Sequence, residues 1–344
     1  MLPKTFTLFL ATVLTITVVN AKIWRVNNNV GVVADFTTAQ AAHNAANVGD
    51  TLHFESSTTD YGALEITKRL VIIGLGEFLA SNPGLQFAPV NARLTSVRLF
   101  RAGANGTVIT GIRTDGITLD SVTNGATITS CYASNILIRS SPNTIISRNF
   151  IQGGVVIDVF GVLKSTNCIV NNNITGPIAV GLGPGNVSNG SASITNNTIH
   201  FPSSAENIIA SSSFSNNIIS GGGGSYHFFA STVNNNVFAA ANYRTTNNNI
   251  TNTVSSGNGN LFSVTDAINY VGPYTGMVGV DSTFKLKTTS PALTAGVSGV
   301  QCGAFGNVAP YRLGLQPAIP SIYQLVVPGV VGNNMNVTIS TKSN

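Results

Sequence analysis

Between about residues 105 and 250 the chain repeats one short pattern, an apolar residue followed by small polar residues and, in most copies, asparagine. The copies read Ile109-Thr-Gly-Ile112, Ile128-Thr-Ser-Cys131, Ile146-Ser-Arg-Asn149, Ile169-Val-Asn-Asn172, Ile194-Thr-Asn-Asn197, Phe214-Ser-Asn-Asn217 and Val233-Asn-Asn-Asn236. Successive anchors are 19, 18, 23, 25, 20 and 19 residues apart. A unit this short cannot bury its own apolar face and is stable only when neighbours stack on it, so the period predicts a solenoid.

A second column gives the same coil length. In the strand-like pieces 117–120, 136–139, 155–158 and 178–181, the positions Leu119, Ile138, Ile157 and Val180 step by 19, 19 and 23 and are assigned inward. The asparagines have a structural reason too. Asparagine tolerates the left-handed backbone of a sharp corner, and its amide can bond the equivalent amide one coil away. Asn149, Asn172, Asn197, Asn217 and Asn236 are therefore expected to form a ladder with a rise of about 4.8 Å.

Composition supports sheets covered by neutral polar groups. Of 344 residues only 8% are charged while 43% are hydrophobic, against roughly 25% charged in an ordinary soluble domain. The regular apolar recurrence excludes disorder. Lys4, the apolar run 6–19 and Val19-Asn20-Ala21 read as a secretory signal cut after Ala21, leaving no transmembrane segment. Export exposes three cysteines, Cys131, Cys168 and Cys302, to an oxidising compartment. Cys131 and Cys168 are two coils apart, too far for a disulfide, so they are expected as buried thiols. Residues 37–47 read as a short helix with a threonine N-cap that covers the open end of the first coil.

These features resemble the right-handed parallel β-helix proteins, the pectin-lyase-like superfamily. The resemblance rests on the capping helix followed by residues 48–54, ValGlyAspThrLeuHisPhe, on 65–76, GluIleThrLysArgLeuValIleIleGlyLeuGly, and on the asparagine coils. Residues 284–296 and 302–306 look like the last coils of secreted bacterial members, and 307–344 like a strand-forming tail that covers the C-terminal end or attaches to a surface. The resemblance implies an all-β fold with the β-helix over 22–306. It also brings an expectation of acidic-polysaccharide cleavage, but the adjacent Asp pairs, GlyHisGly and ArgIleLys of the hydrolases are absent from this sequence.

Three groups of residues are candidates for chemistry. Asp120, Arg139 and Asp158 follow the inward positions and stack outward in one column, the carboxylates roughly 9.5 Å apart with a guanidinium between them. They read either as a charge ladder or as a catalytic acid–base set near the upper limit of an inverting glycosidase pair. Arg93, Arg98, Arg101 and Arg113 form a basic stretch with no carboxylate from residue 78 to 114, suited to an anionic glycan or to ordinary solvation. Tyr226 and His227 follow a run of four glycines and are assigned partial exposure for sugar stacking, with Phe228 in the core.

A net charge of +5 spread over this length does not point to nucleic acid. The expected function is that of a secreted or cell-surface monomer that binds glycan or acts structurally, without a cofactor. The alternative is a polysaccharide lyase or hydrolase, and calcium enters only under its lyase form. Self-assembly or ice binding would need regular threonine ranks, which the variable steps argue against.

Overall fold

The computed structural model describes residues 21–120, 123–158, 164–181, 190–201, 206–221, 225–239, 256–273, 277, 279–307, 309–329 and 334–343. Residues 1–20, which hold the apolar run read as a secretory signal, and Gly222 to Gly224 lie outside these, as do the side chains of Asp158 and Glu206. The chain is an all-β parallel solenoid. One sheet of ten strands runs from Ile23–Val26 through Thr51–Phe54 to Thr232–Asn234, every neighbour parallel. A second sheet of 13 strands faces it, built around the long strands Arg113–Asp120, Tyr132–Arg139 and Phe150–Asp158. Register slips between Ala133 and Asn135, where the long strands bend. Beyond that bend one half continues as Ile178–Val180, Glu206–Ala210 and Ser225–Phe229, so each coil has three sides.

Burial follows the predicted columns with one slip. Leu119, Ile138, Ile157 and Val180 are in register and fully buried. In the first sheet the buried column is Leu52, Ile72, Ile109, Ile128, Ile146, Val170, Ile194, Phe214 and Val233. The anchor in the fourth copy is thus Val170, whereas Ile169 points outward and is 37% exposed. Strand side chains alternate with a period of two, so a one-residue slip exchanges the faces. Burying Val170 carries the inward series without a break, and the two apolar neighbours hid that choice in the sequence.

The same slip moves the ladder. Its rungs are Asn149, Asn173, Asn197, Asn217, Asn236 and Asn260, each Oδ1 accepting from the side-chain amide of the previous rung at 2.9–3.1 Å. Each Oδ1 also accepts the backbone N–H of that previous rung. Asn172 is not a rung. It belongs to the column just before, Ser130, Arg148, Asn172, Asn196, Asn216 and Asn235, whose φ values of 53° to 57° make the left-handed corner. Gly111 and Gly259 take the same turn at the two ends of the series, at φ 69° and 72°. Corner conformation and amide stacking are therefore the tasks of adjacent residues, not of one.

Helix Ala39–Ala45 packs on the first coils through Ala39, Ala42 and His43, whose Nε2 accepts from the Thr67 backbone at 3.2 Å. Thr38 holds the N-cap position in extended conformation, but its side chain accepts no capping hydrogen bond. The other end of the solenoid closes on Leu261, bridged to Val237, and on Phe262, stacked on Phe238 at 5.2 Å.

Residues 284–306 are not coils. They form short 3-10 turns at Asp281–Phe284, Pro291–Leu293 and Val297–Gly299 and run back along the outside of the solenoid as a strap. Val297 N donates to Asn216, Asn196 donates to Gln301, and Asn172 donates to Ala304 and Gly306, so the strap descends coil by coil. It covers a second apolar core on the outer side of the second sheet, where Phe150, Ile174, Ile218 and Val237 meet Phe284, Cys302, Ala304 and Tyr311. The tail does not cover the C-terminal end. Strands Ser321–Val326 and Thr338–Lys342 form an antiparallel hairpin that reaches the early coils, Phe87 N donating to Ile322 O at 2.8 Å. The apolar positions that look like final strands serve this second core.

Candidate functional site

The most charged surface lies on the early coils. Arg93 sits between Asp115, at 2.9 Å, and Asp60, at 3.6 Å. Arg98 sits between Asp120, at 3.1 Å, and Glu65, at 3.9 Å. Arg113 binds Glu77 at 2.6 Å and lies over the Tyr132 ring. The carboxylates come from neighbouring coils, which is why the stretch 78–114 looked uncompensated. Three of the four predicted glycan-contacting arginines are thus ion-paired, and their hydrogen bonds go to protein. Arg101 makes no ion pair among the described residues and rests over Phe100. The pairs of Arg93 and Arg98 are partly solvent-exposed, so each contributes on the order of 0.2 to 1 kcal/mol.

Arg139 faces Asp158 across the paired strands, and Asp120 follows Leu119, the partner of Ile138. The three positions are therefore close in strand register. The Asp120 carboxylate, however, is engaged by Arg98, and the Nε of Arg139 is buried without a hydrogen bond. The ion pairs that the structure shows on these coils are centred instead on Arg93 and Arg98.

Tyr226 is corrected outright. It is fully buried, edge-on to Phe201 at 4.6 Å and beside Phe214 and Phe228, and its hydroxyl accepts from Ile178 N at 3.2 Å. It packs the core and cannot stack on a sugar outside. His227 alternates to the outer side and is half-buried. Phe228 is in the core.

The buried acids are in a different place. Glu77 and Asp281 are 8% and 0% exposed, one on an early coil and one on the strap. Burial pushes both carboxyls above their usual range. For Glu77 the Arg113 guanidinium opposes that shift and the Asp281 charge adds to it. Asp281 accepts from Gly314 N at 2.7 Å, Asn82 at 3.1 Å and the Tyr311 hydroxyl at 3.3 Å, which fastens the strap. Glu77 is engaged by Arg113 and by Asn91, which donates to it. No three His, Cys, Asp or Glu side chains converge in a metal-holding group among the described residues.

The feature the sequence reading dismissed is the outer face of the first sheet. Thr110, Thr129, Ser147, Asn171, Thr195, Ser215 and Asn234 align in one unbroken register, beside a parallel column of Val108, Thr127, Ile145, Ile169, Ser193, Ser213 and Thr232. The steps vary because the chain between sheets varies: Arg139 to Ile145 is short, Val180 to Ala192 long. The first-sheet strands keep their alignment throughout. Their outer surface is a two-column field of hydroxyl, amide and aliphatic groups, covered at its start, where Thr110 is 8% exposed beside Gln316 and Ile319. No protein-family model, curated protein or solved structure matches the chain.

Proposed function

We propose that the protein is a secreted, non-catalytic β-solenoid module that binds a glycan along the outer face of its first sheet. The observation that carries this reading is the in-register rank from Thr110 to Asn234. Successive coils rise by about 4.8 Å, so the rank offers donors and acceptors at a constant interval, as a repeating hydroxylated polymer does. Hydroxyls and amides can each donate and accept, which suits neutral sugars. The ion pairs of Arg93, Arg98 and Arg113 favour a scaffold role for the charged coils, because their carboxylates are already neutralised. The apolar segment 6–19 behind Lys4 supports export.

Binding of the purified chain to soluble and insoluble neutral polysaccharides tests the reading. Thr195→Lys and Ser215→Lys place long charged side chains in the middle of the face and are expected to lower affinity at least tenfold with the fold intact. Retained affinity in both variants overturns the assignment of the face. Release of unsaturated uronates or new reducing ends, with or without calcium, replaces the module with a polysaccharide lyase or hydrolase.

A further inference from the structure

Two guanidinium groups meet where the segment after the strap crosses the early coils. Arg148 stands at a left-handed corner, φ 57°, with its backbone N–H held by Asn171 O at 3.1 Å. Arg312 comes from the segment that follows the strap, at the residue that precedes the turn Leu313–Leu315. Both line one cleft of about 190 Å³ whose other walls include Thr110, Thr129, Ser130 and Gln316. Neither arginine has a carboxylate partner among the described residues, and the Arg148 Nε is buried without a hydrogen bond. Burial and the Arg312 charge both push the Arg148 guanidinium below its usual range. A second depression continues from Arg312 and Gln316 to Lys342 of the terminal hairpin.

We propose that this cleft is a binding site for an oxyanion, a carboxylate, sulfate or phosphate group, held between Arg148 and Arg312. Two like charges side by side, one of them desolvated, are unfavourable until an anion neutralises them. Guanidinium forks match the planar or tetrahedral oxygens of such groups and bond them in pairs. The Thr129 hydroxyl already accepts from Ser147 at 3.2 Å, which leaves its own proton to donate. The cleft is roughly six water volumes, room for one oxyanion with part of its hydration. Lys342 extends the positive field along the path by which the rest of a charged chain would leave. The cleft borders the neutral glycan face at Thr110 and Thr129, but the proposal rests on the two arginines, which lie off that rank, so its failure would leave that reading standing.

The experiment is calorimetric titration with sodium sulfate and, separately, phosphate at constant ionic strength, chloride serving as the control. Arg148→Asn, whose new residue tolerates the corner, and Arg312→Gln, at an exposed position, remove one guanidinium each. Saturable sulfate or phosphate binding that weakens at least tenfold in either variant, with thermal stability in chloride unchanged or raised, is the expected result. A response equal to that in chloride, or one that survives both substitutions, overturns the site. A sulfated or uronate oligosaccharide that competes with sulfate identifies a polymer as the source of the oxyanion. Binding of the inorganic anion alone, with no competition, identifies a free anion. Unaltered binding of neutral polysaccharide by both variants separates this site from the first-sheet face.

Discussion

The side-chain oxygen of Asn197 accepts both the backbone N–H and the side-chain amide of Asn173, at 3.0 and 2.9 Å, one coil earlier. Its own amide donates to Val170 O and to Asn217. All these atoms are buried, so Asn197→Ala strands the backbone N–H and one amide N–H of Asn173 and takes a bond from Val170 O, while Asn217 Oδ1 keeps the backbone N–H of residue 197. Each orphan costs about 1 to 3 kcal/mol, and the expected loss is about 3 kcal/mol or more, read from chemical denaturation. Thr195→Ala, two residues away on the outer face, is expected to cost less than about 0.5 kcal/mol.

Cys131 occupies the ladder position one coil before Asn149. Its N–H donates to Asn149 at 2.8 Å, and its Sγ reaches Ile109 O at 3.6 Å, where each asparagine rung places its amide on the corresponding carbonyl. Cys131→Asn is expected to extend the ladder by one rung and raise the melting temperature. Loss of stability would show that the site is too tight for the amide.

The strap hangs on the corner column. Asn172 donates to Ala304 O at 3.0 Å and to Gly306 O at 2.7 Å. Asn172→Gly keeps the left-handed corner and removes only the amide, so it isolates the strap contact from backbone strain. It is expected to weaken strap docking by about 1 to 2 kcal/mol and to speed limited proteolysis within 284–306 by about fivefold to thirtyfold. Equal proteolysis rates in the two proteins would mean that the apolar core around Phe150 and Phe284 holds the strap alone.

The solenoid was legible because its apolar columns repeat, and Leu119, Ile138, Ile157 and Val180 lie where their spacing placed them. The slip at Ile169 and Val170 arose because two apolar residues precede three asparagines, and only burial distinguishes the registers. The strap was misread because its apolar residues, among them Phe284 and Cys302, resemble strand residues yet pack outside a sheet already closed inside. Tyr226 was misread because nothing local tells a buried hydroxyl with a backbone partner from an exposed one. The ion pairs of Arg93 and Arg98 join coils 22 or more residues apart, a distance that only the register reveals.

Asp281 and Glu77 make the strap sensitive to pH. Burial raises both carboxyls above their unfolded values, so folding favours the protonated forms. Their contribution is fully present below the unfolded carboxyl value of about 4 and is lost as pH rises through the raised folded values. Asp281→Asn removes one of the titrations. The stability difference between this variant and the parent is expected to move in the variant's favour from about pH 4 towards neutrality, measured by melting at each pH. The difference cancels the opposite trend of His43, His53 and His200, which burial holds below their usual range. A pH-independent difference would show that Asp281 stays ionised in the fold.

All three cysteines are free and buried. Burial pushes the Cys131 and Cys302 thiols up to about 12 and that of Cys168 up to about 11. The thiolate is the reactive form, so at pH 8 both ionisation and access are suppressed in the folded chain. Iodoacetamide is expected to leave the native protein unmodified over hours and to label three sites in denaturant, counted by intact mass. Cys302 is the informative one, because it lies under the strap with its Sγ 3.4 Å from Asn235 O. If the strap detaches independently of the solenoid, Cys302 is labelled first and alone, and Asn172→Gly accelerates it; simultaneous labelling of all three shows that strap and coils unfold as one unit.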